Sequence, residues 1–197
     1  MKFELGKIYH EYNRGNNKQR IYFNEENYLF FLRKVKVLLL PTCELLAYCL
    51  MPNHFHLLIY ANEETVSLDE RNRNKFSEAI RKMLSQYTKA VNKQENRTSS
   101  LFQQNTKAKE IPLCHDHRGI MGNAALNCFI YIHQNPLILT DNDLTAWKFS
   151  SYSDYASNKE DSLCNIQLAY SLLDFDKAEF PGILGACHDY RATIRNI

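Results

Sequence analysis

The chain has 197 residues, 45% hydrophobic and 23% charged, which suits one soluble globular domain and excludes a disordered or low-complexity polypeptide. Its net charge of +2 conceals an asymmetry: residues 1–109 carry 18 Lys and Arg against 11 Asp and Glu, and residues 110–197 carry 6 against 11. A basic first half suits a polyanionic partner, because cations that neutralise phosphates release counterions; a solvated surface is the plainer reading. Residues 1–7 hold no apolar signal region, and the longest apolar run, Leu45 to Met51, is far too short to span a bilayer. The expectation is a cytoplasmic protein with no membrane partner. Six scattered cysteines without a Cys-x-x-Cys pair read as reduced thiols, not as a disulfide framework.

Lys7 to Tyr12 reads as a first strand, followed by turn chemistry in Asn13-Arg14-Gly15-Asn16-Asn17. Arg20 to Phe23 is expected to continue the hairpin. Asn13, Arg14, Lys18 and Arg20 are candidates for a nucleic-acid backbone, with Tyr12 or Tyr22 either stacking on bases or packing on the sheet. Asn24, ahead of Glu25 and Glu26, predicts a helix start, with Tyr28, Phe31, Val35 and Leu38 as its apolar stripe. Leu45 to Met51 and His54 to Tyr60 read as two strands parted by Pro52-Asn53. A long amphipathic helix is expected from about Ser67 to Asn92, with Phe76, Ile80, Leu84, Tyr87 and Val91 on one face. Gln104 to Ile111 supplies a last strand with Lys107 and Lys109 on one face. Strand–helix–strand–strand–helix–strand is the ferredoxin-like order, an α+β fold with an antiparallel sheet and helices packed on one face. Many functions share that fold, so function rests on the site.

His54 and His56 stand two apart on a strand and therefore share a face, while Phe55, Leu57 and Ile59 take the other. Neutral imidazoles are the commonest nitrogen ligands of metals, so the pair is either half of a metal site or two half-exposed strand histidines. Two ligands need a third. Ala124 to Gln134 reads as a helix, closed by Pro136, which disfavours the α conformation at Asn135. Asn127, Tyr131 and Asn135 fall on one polar face of it. If that face packs beside the strand, Asn135 or Gln134 completes a site of two histidines and one oxygen, and Tyr131 reaches a phosphate held there. Cys114-His115-Asp116-His117 holds a second His-x-His beside a thiol. It lies among turn residues with no further ligand cluster nearby, and reads as a loop.

At these residues the chain resembles a known family. Met51-Pro52-Asn53-His54-Phe55-His56-Leu57-Leu58 is similar to the HUH signature of the single-tyrosine transposases. Tyr131-Ile132-His133-Gln134-Asn135-Pro136 is similar to the nucleophile helix of their repeat-associated branch. Tyr9-His10-Glu11-Tyr12-Asn13-Arg14-Gly15-Asn16-Asn17 and Trp147-Lys148-Phe149-Ser150-Ser151-Tyr152 agree as well, and the four motifs occur in the family's order. The resemblance implies a transposase that cleaves and rejoins hairpin-bearing single-stranded DNA, with Tyr131 as nucleophile forming a 5′-phosphotyrosine. It also implies a divalent metal, Mg2+ or Mn2+, held by His54, His56 and Asn135, and DNA contacts from Asn13, Arg14, Arg20, Lys107 and Lys109. A transposase domain over 1–157 would be followed by a helical extension over 158–197, and the copy number, monomer or homodimer, stays open. A non-catalytic hairpin-DNA or RNA-binding protein on the same fold is the alternative.

Overall fold

The computed structural model describes residues 2–113, 123–141, 143–157 and 159–186; the Cys114-His115-Asp116-His117 segment and the expected helical tail beyond 186 lie outside the described residues. Four strands, β1 (Ile8–Arg14), β2 (Glu44–Met51), β3 (His54–Tyr60) and β4 (Lys107–Ile111), form one antiparallel sheet in the order β2-β3-β1-β4. This is the ferredoxin-like order expected from the sequence.

β1 runs two residues further than its composition suggests, because Asn13 and Arg14 pair with Phe55 and His54 of β3. The turn starts instead at Gly15, whose N–H donates to the Asn53 carbonyl. A Cβ at Gly15 would lie 2.2 Å from the Gln19 carbonyl oxygen, so the close approach of the chain requires glycine here. The segment Arg20 to Phe23 is not a hairpin strand. Ile21 and Tyr22 both donate their N–H groups to the Pro52 carbonyl, which docks the segment on the β2–β3 turn.

Helix α1 (Glu25–Lys34) starts at Asn24, whose side chain accepts from the Asn27 N–H. The long amphipathic stretch divides: α2 (Glu63–Val66) is closed in a capping box by Asn62 and Thr65, and α3 (Lys75–Gln94) starts afresh at Asn74. Between them Asn72 takes a left-handed conformation (φ 57°), so no single helix runs from Ser67. α1 and α3 cover one face of the sheet, where Phe31 sits 5.2 Å from both Phe55 and Tyr87, ring centre to ring centre. Tyr87 is buried there and donates its hydroxyl to the Ile21 carbonyl, which makes it a core residue.

Strand alternation sends Ile8, His10, Tyr12 and Arg14 to the other face with His54 and His56. Helix α4 (Ala124–Gln134) lies across that face, capped by Asn123. Helices α5 (Tyr152–Ser157), α6 (Ile166–Leu173) and α7 (Phe180–Ala186) pack behind it, and Phe129 of α4 meets Tyr155, Phe175 and Phe180. Pro136 does end the regular helix, but Asn135 keeps right-handed helical angles and the chain makes one further 3-10 turn, Asn135–Ile138. The Trp147-to-Tyr152 motif runs along the free edge of β2: Leu50 donates to the Phe149 carbonyl and Ser151 to the Tyr48 carbonyl. His133 hydrogen-bonds the Ser151 hydroxyl at 2.8 Å, which ties α4 to that edge. Cys43, Cys49, Cys128 and Cys164 are buried free thiols, and among the described residues no helix is long and apolar enough to cross a membrane.

Candidate active site

The site is built where β1, β3 and α4 meet. β3 holds His54 and His56 on one face, and β1 places His10 and Tyr12 beside them. α4 brings Tyr131 over the pair, its ring 5.4 Å from His56 and 6.2 Å from His10. The helix register that puts Phe129 and Ile132 into the core leaves Tyr131 and Asn135 on the sheet side.

His54 and His56 are each anchored through Nδ1. His56 Nδ1 lies 2.8 Å from His10 Nε2, and its own Nε2 is buried with no hydrogen-bond partner among the described residues. His54 Nδ1 lies 2.7 Å from Asn53 Oδ1, and Asn135 also hydrogen-bonds His54. The outer contacts therefore fix both rings so that Nε2 faces the site, as an outer shell does for metal-ligating histidine. His10, which anchors His56, is not among the site residues expected from the sequence. The signal was there: His10 alternates with Tyr12 on a strand, as His54 does with His56.

Burial sets the charge state. It lowers His10 to about 4, with the Lys109 cation adding to the effect. It lowers His56 well below the ordinary histidine range, aided by His10 and His54, and lowers His54 against the opposing bond from Asn135. All three imidazoles are neutral at pH 7, the form that offers a lone pair.

The residues present fit a divalent metal: two neutral imidazoles, one with a buried Nε2 that has no partner among the described residues, and an amide oxygen. Asn135 donates its Nδ2 to the Tyr131 carbonyl at 2.8 Å, which leaves Oδ1 for such a role. Gln134 is turned away and buried, with Nε2 on the Leu184 carbonyl at 2.7 Å. No group of three His, Cys, Asp or Glu converges anywhere among the described residues.

A cleft of about 440 Å³ opens over the site, lined by Tyr131, His54 and His56 and by the cations Arg14, Lys18 and Lys107. Lys107 also lies 5.9 Å over the Tyr12 ring. Lys109 stands opposite His10 on β4. Asn13 reaches only the rim of this cleft: it alternates to the opposite sheet face, is buried, and commits its amide to the Gln103 carbonyl and the Thr106 hydroxyl. Arg20 is exposed near Tyr28 and does not line the cleft.

No protein-family model matches the sequence, and no curated protein matches it. Among solved structures, a REP-associated tyrosine transposase bound to a REP hairpin superposes with a TM-score of 0.56 at 16% identity, covering 83% of this chain and 86% of that chain. A bacterial tRNA(His) guanylyltransferase (Thg1)-like protein in complex with GTP reaches a TM-score of only 0.39 at 10% identity, over 69% of this chain and 72% of that chain. At that score the overlay carries no argument. The first superposition extends over most of both molecules, and this chain therefore has the fold of a REP-associated tyrosine transposase.

Proposed function

We propose that this chain is a single-tyrosine HUH transposase, which cleaves and rejoins single-stranded DNA beside hairpins through a 5′-phosphotyrosine. The observation that carries the reading is Tyr131 held 5.4 Å, ring to ring, from a buried histidine whose Nε2 has no partner among the described residues. A nucleophile and an electrophile-binding group are thus preset on rigid elements on either side of one cleft.

In the forward step the Tyr131 oxygen bonds to the scissile phosphorus and the bond to the 3′ oxygen breaks. The phenol proton is lost and the departing oxygen gains one, leaving a free 3′-hydroxyl. A 3′-hydroxyl at a new junction reverses the step, so no nucleotide cofactor is consumed. His54, His56 and Asn135 would hold a divalent ion, Mg2+ or Mn2+, whose bound charge would polarise the phosphate and set it in line with the tyrosine. The three ligands are all neutral, so a hard cation would bind weakly until DNA adds an anionic oxygen. Arg14, Lys18 and Lys107 would hold flanking phosphates in the cleft.

The test is incubation with hairpin-bearing single-stranded DNA and Mn2+, followed by denaturing electrophoresis. A covalent adduct is expected from the wild type and none from Tyr131→Phe, with hairpin affinity within about twofold, since only one hydroxyl is removed. An adduct that persists in Tyr131→Phe refutes the assignment. A wild type that binds the hairpin but forms no adduct with either ion would make it a binding protein on this fold.

A further inference from the structure

The sheet face opposite Tyr131 carries a cavity of about 720 Å³, between α3 and the β1–β4 pair, that the proposed cleavage does not use. Its volume lies in the range of sites that hold small organic ligands. Two buried acceptors in its lining have no hydrogen-bond partner among the described residues. One is Glu11 Oε1, on a side chain that is 2% exposed, and the other is Asn92 Oδ1. Buried acceptors are nearly always satisfied, and two orphans in one cavity point to donors that arrive with a ligand. The rest of the wall combines Phe76 and Phe102 with Ser85 and Thr88. Such a wall suits a flat, partly apolar body with a polar edge.

Position narrows the class of ligand. Asn13, Gln103 and Asn105 line both this cavity and the Tyr131 cleft, so the two openings share one rim. The argument from here rests on the reading of the cleft as a site for single-stranded DNA. A strand leaving the cleft over that shared rim passes the mouth of the cavity. We propose that this cavity is a pocket for one unpaired nucleobase bearing an exocyclic amino group, taken from the single-stranded flank of the DNA in the Tyr131 cleft.

The donors that Glu11 and Asn92 require are what an exocyclic amino group supplies; thymine has only its ring N3–H and no amino group. Burial pushes the Glu11 carboxyl up to about 8, so at neutral pH it offers an O–H and a carbonyl side by side. That edge is complementary to an amino group next to a ring nitrogen, as in adenine, cytosine or guanine. A base lodged there would be read outside any duplex, and would fix how far from the hairpin the phosphate falls beneath Tyr131.

The experiment uses the full chain and a labelled hairpin with single-stranded flanks, each flank nucleotide replaced in turn by an abasic residue and by thymine. One flank position is expected to lose tenfold or more in affinity with either replacement. In Glu11→Leu that penalty should shrink to within twofold, with the abasic DNA bound as well as by wild type. Ser85→Trp, which fills the cavity from a partly exposed position on α3, should do the same and serves if Glu11→Leu does not fold. Even contributions from all flank positions, or a penalty unchanged in both variants, would overturn the pocket while leaving the transposase reading standing. Failure of the wild type to bind the hairpin at all would overturn that reading and the pocket with it.

Discussion

Replacing Glu11 by Gln should raise stability at alkaline pH and change it little in acid. Glu11 is buried at the centre of β1, and burial raises its carboxyl from 4.5 to about 8. A raised carboxyl favours the protonated native state: its contribution is fully present below the unfolded value and is lost as pH rises through the folded one. Integrated from pH 5 to pH 9, the loss is on the order of 4 kcal/mol, a large share of the roughly 5–15 kcal/mol that holds a domain folded. Glutamine keeps the shape and cannot ionise, so the variant escapes the loss. At about 2–4 °C per kcal/mol for a chain of this size, the melting temperature of Glu11→Gln should exceed that of wild type by roughly 8–16 °C more at pH 9 than at pH 5. Thermal unfolding of both proteins across that range is the assay. Buried His10, His56 and His133, all lowered, pull stability down as pH falls, but they do so in both proteins and cancel in the difference. A difference that stays flat between pH 5 and pH 9 would refute the account of Glu11 as a neutral buried acid.

Other outcomes follow from the site and its supports. Covalent adduct formation should be lost in His54→Ala, His56→Ala and in chelator, and reduced in Asn135→Ala. Gln134→Ala, whose amide is spent on the Leu184 carbonyl, should leave adduct formation within about twofold; the reverse ranking of 134 and 135 would place the third ligand wrongly. Arg14→Ala should lower the slope of log affinity against log salt by about one, and Arg20→Ala should not, since only Arg14 lines the cleft. Ser151→Ala removes the hydroxyl that bonds His133 and the Tyr48 N–H, and should destabilise by about 1–3 kcal/mol in urea unfolding; no change would mean the bridge from α4 to the β2 edge is not structural.

What the sequence determined by itself is what repeats along the chain or sits in a short motif. Strand alternation put His54 and His56 on one face without any structure, and the bounds of α4 followed from apolar spacing and from Pro136 beyond its end. The element order was enough for the sheet order, because few topologies connect such elements without crossing. The turn at Gly15 and the break before α3 were not legible. They depend on a carbonyl brought from Asn53 and on a left-handed residue at Asn72, which a periodic pattern does not report.

The site itself was only half legible. That α4 lies across the histidine face, and not with α1 and α3, is a packing outcome that follows from Phe129 being enclosed by Tyr155, Phe175 and Phe180. The same packing turns Gln134 towards Leu184 and leaves Asn135 beside His54, a choice of about 100° around a helix that sequence spacing left open. His10 became a partner of His56, and Glu11 an orphaned acid on the far face, only when β1 was placed between β3 and β4. Neighbours on one strand are set by the sequence; neighbours across strands are set by register, and register is decided by the whole core at once.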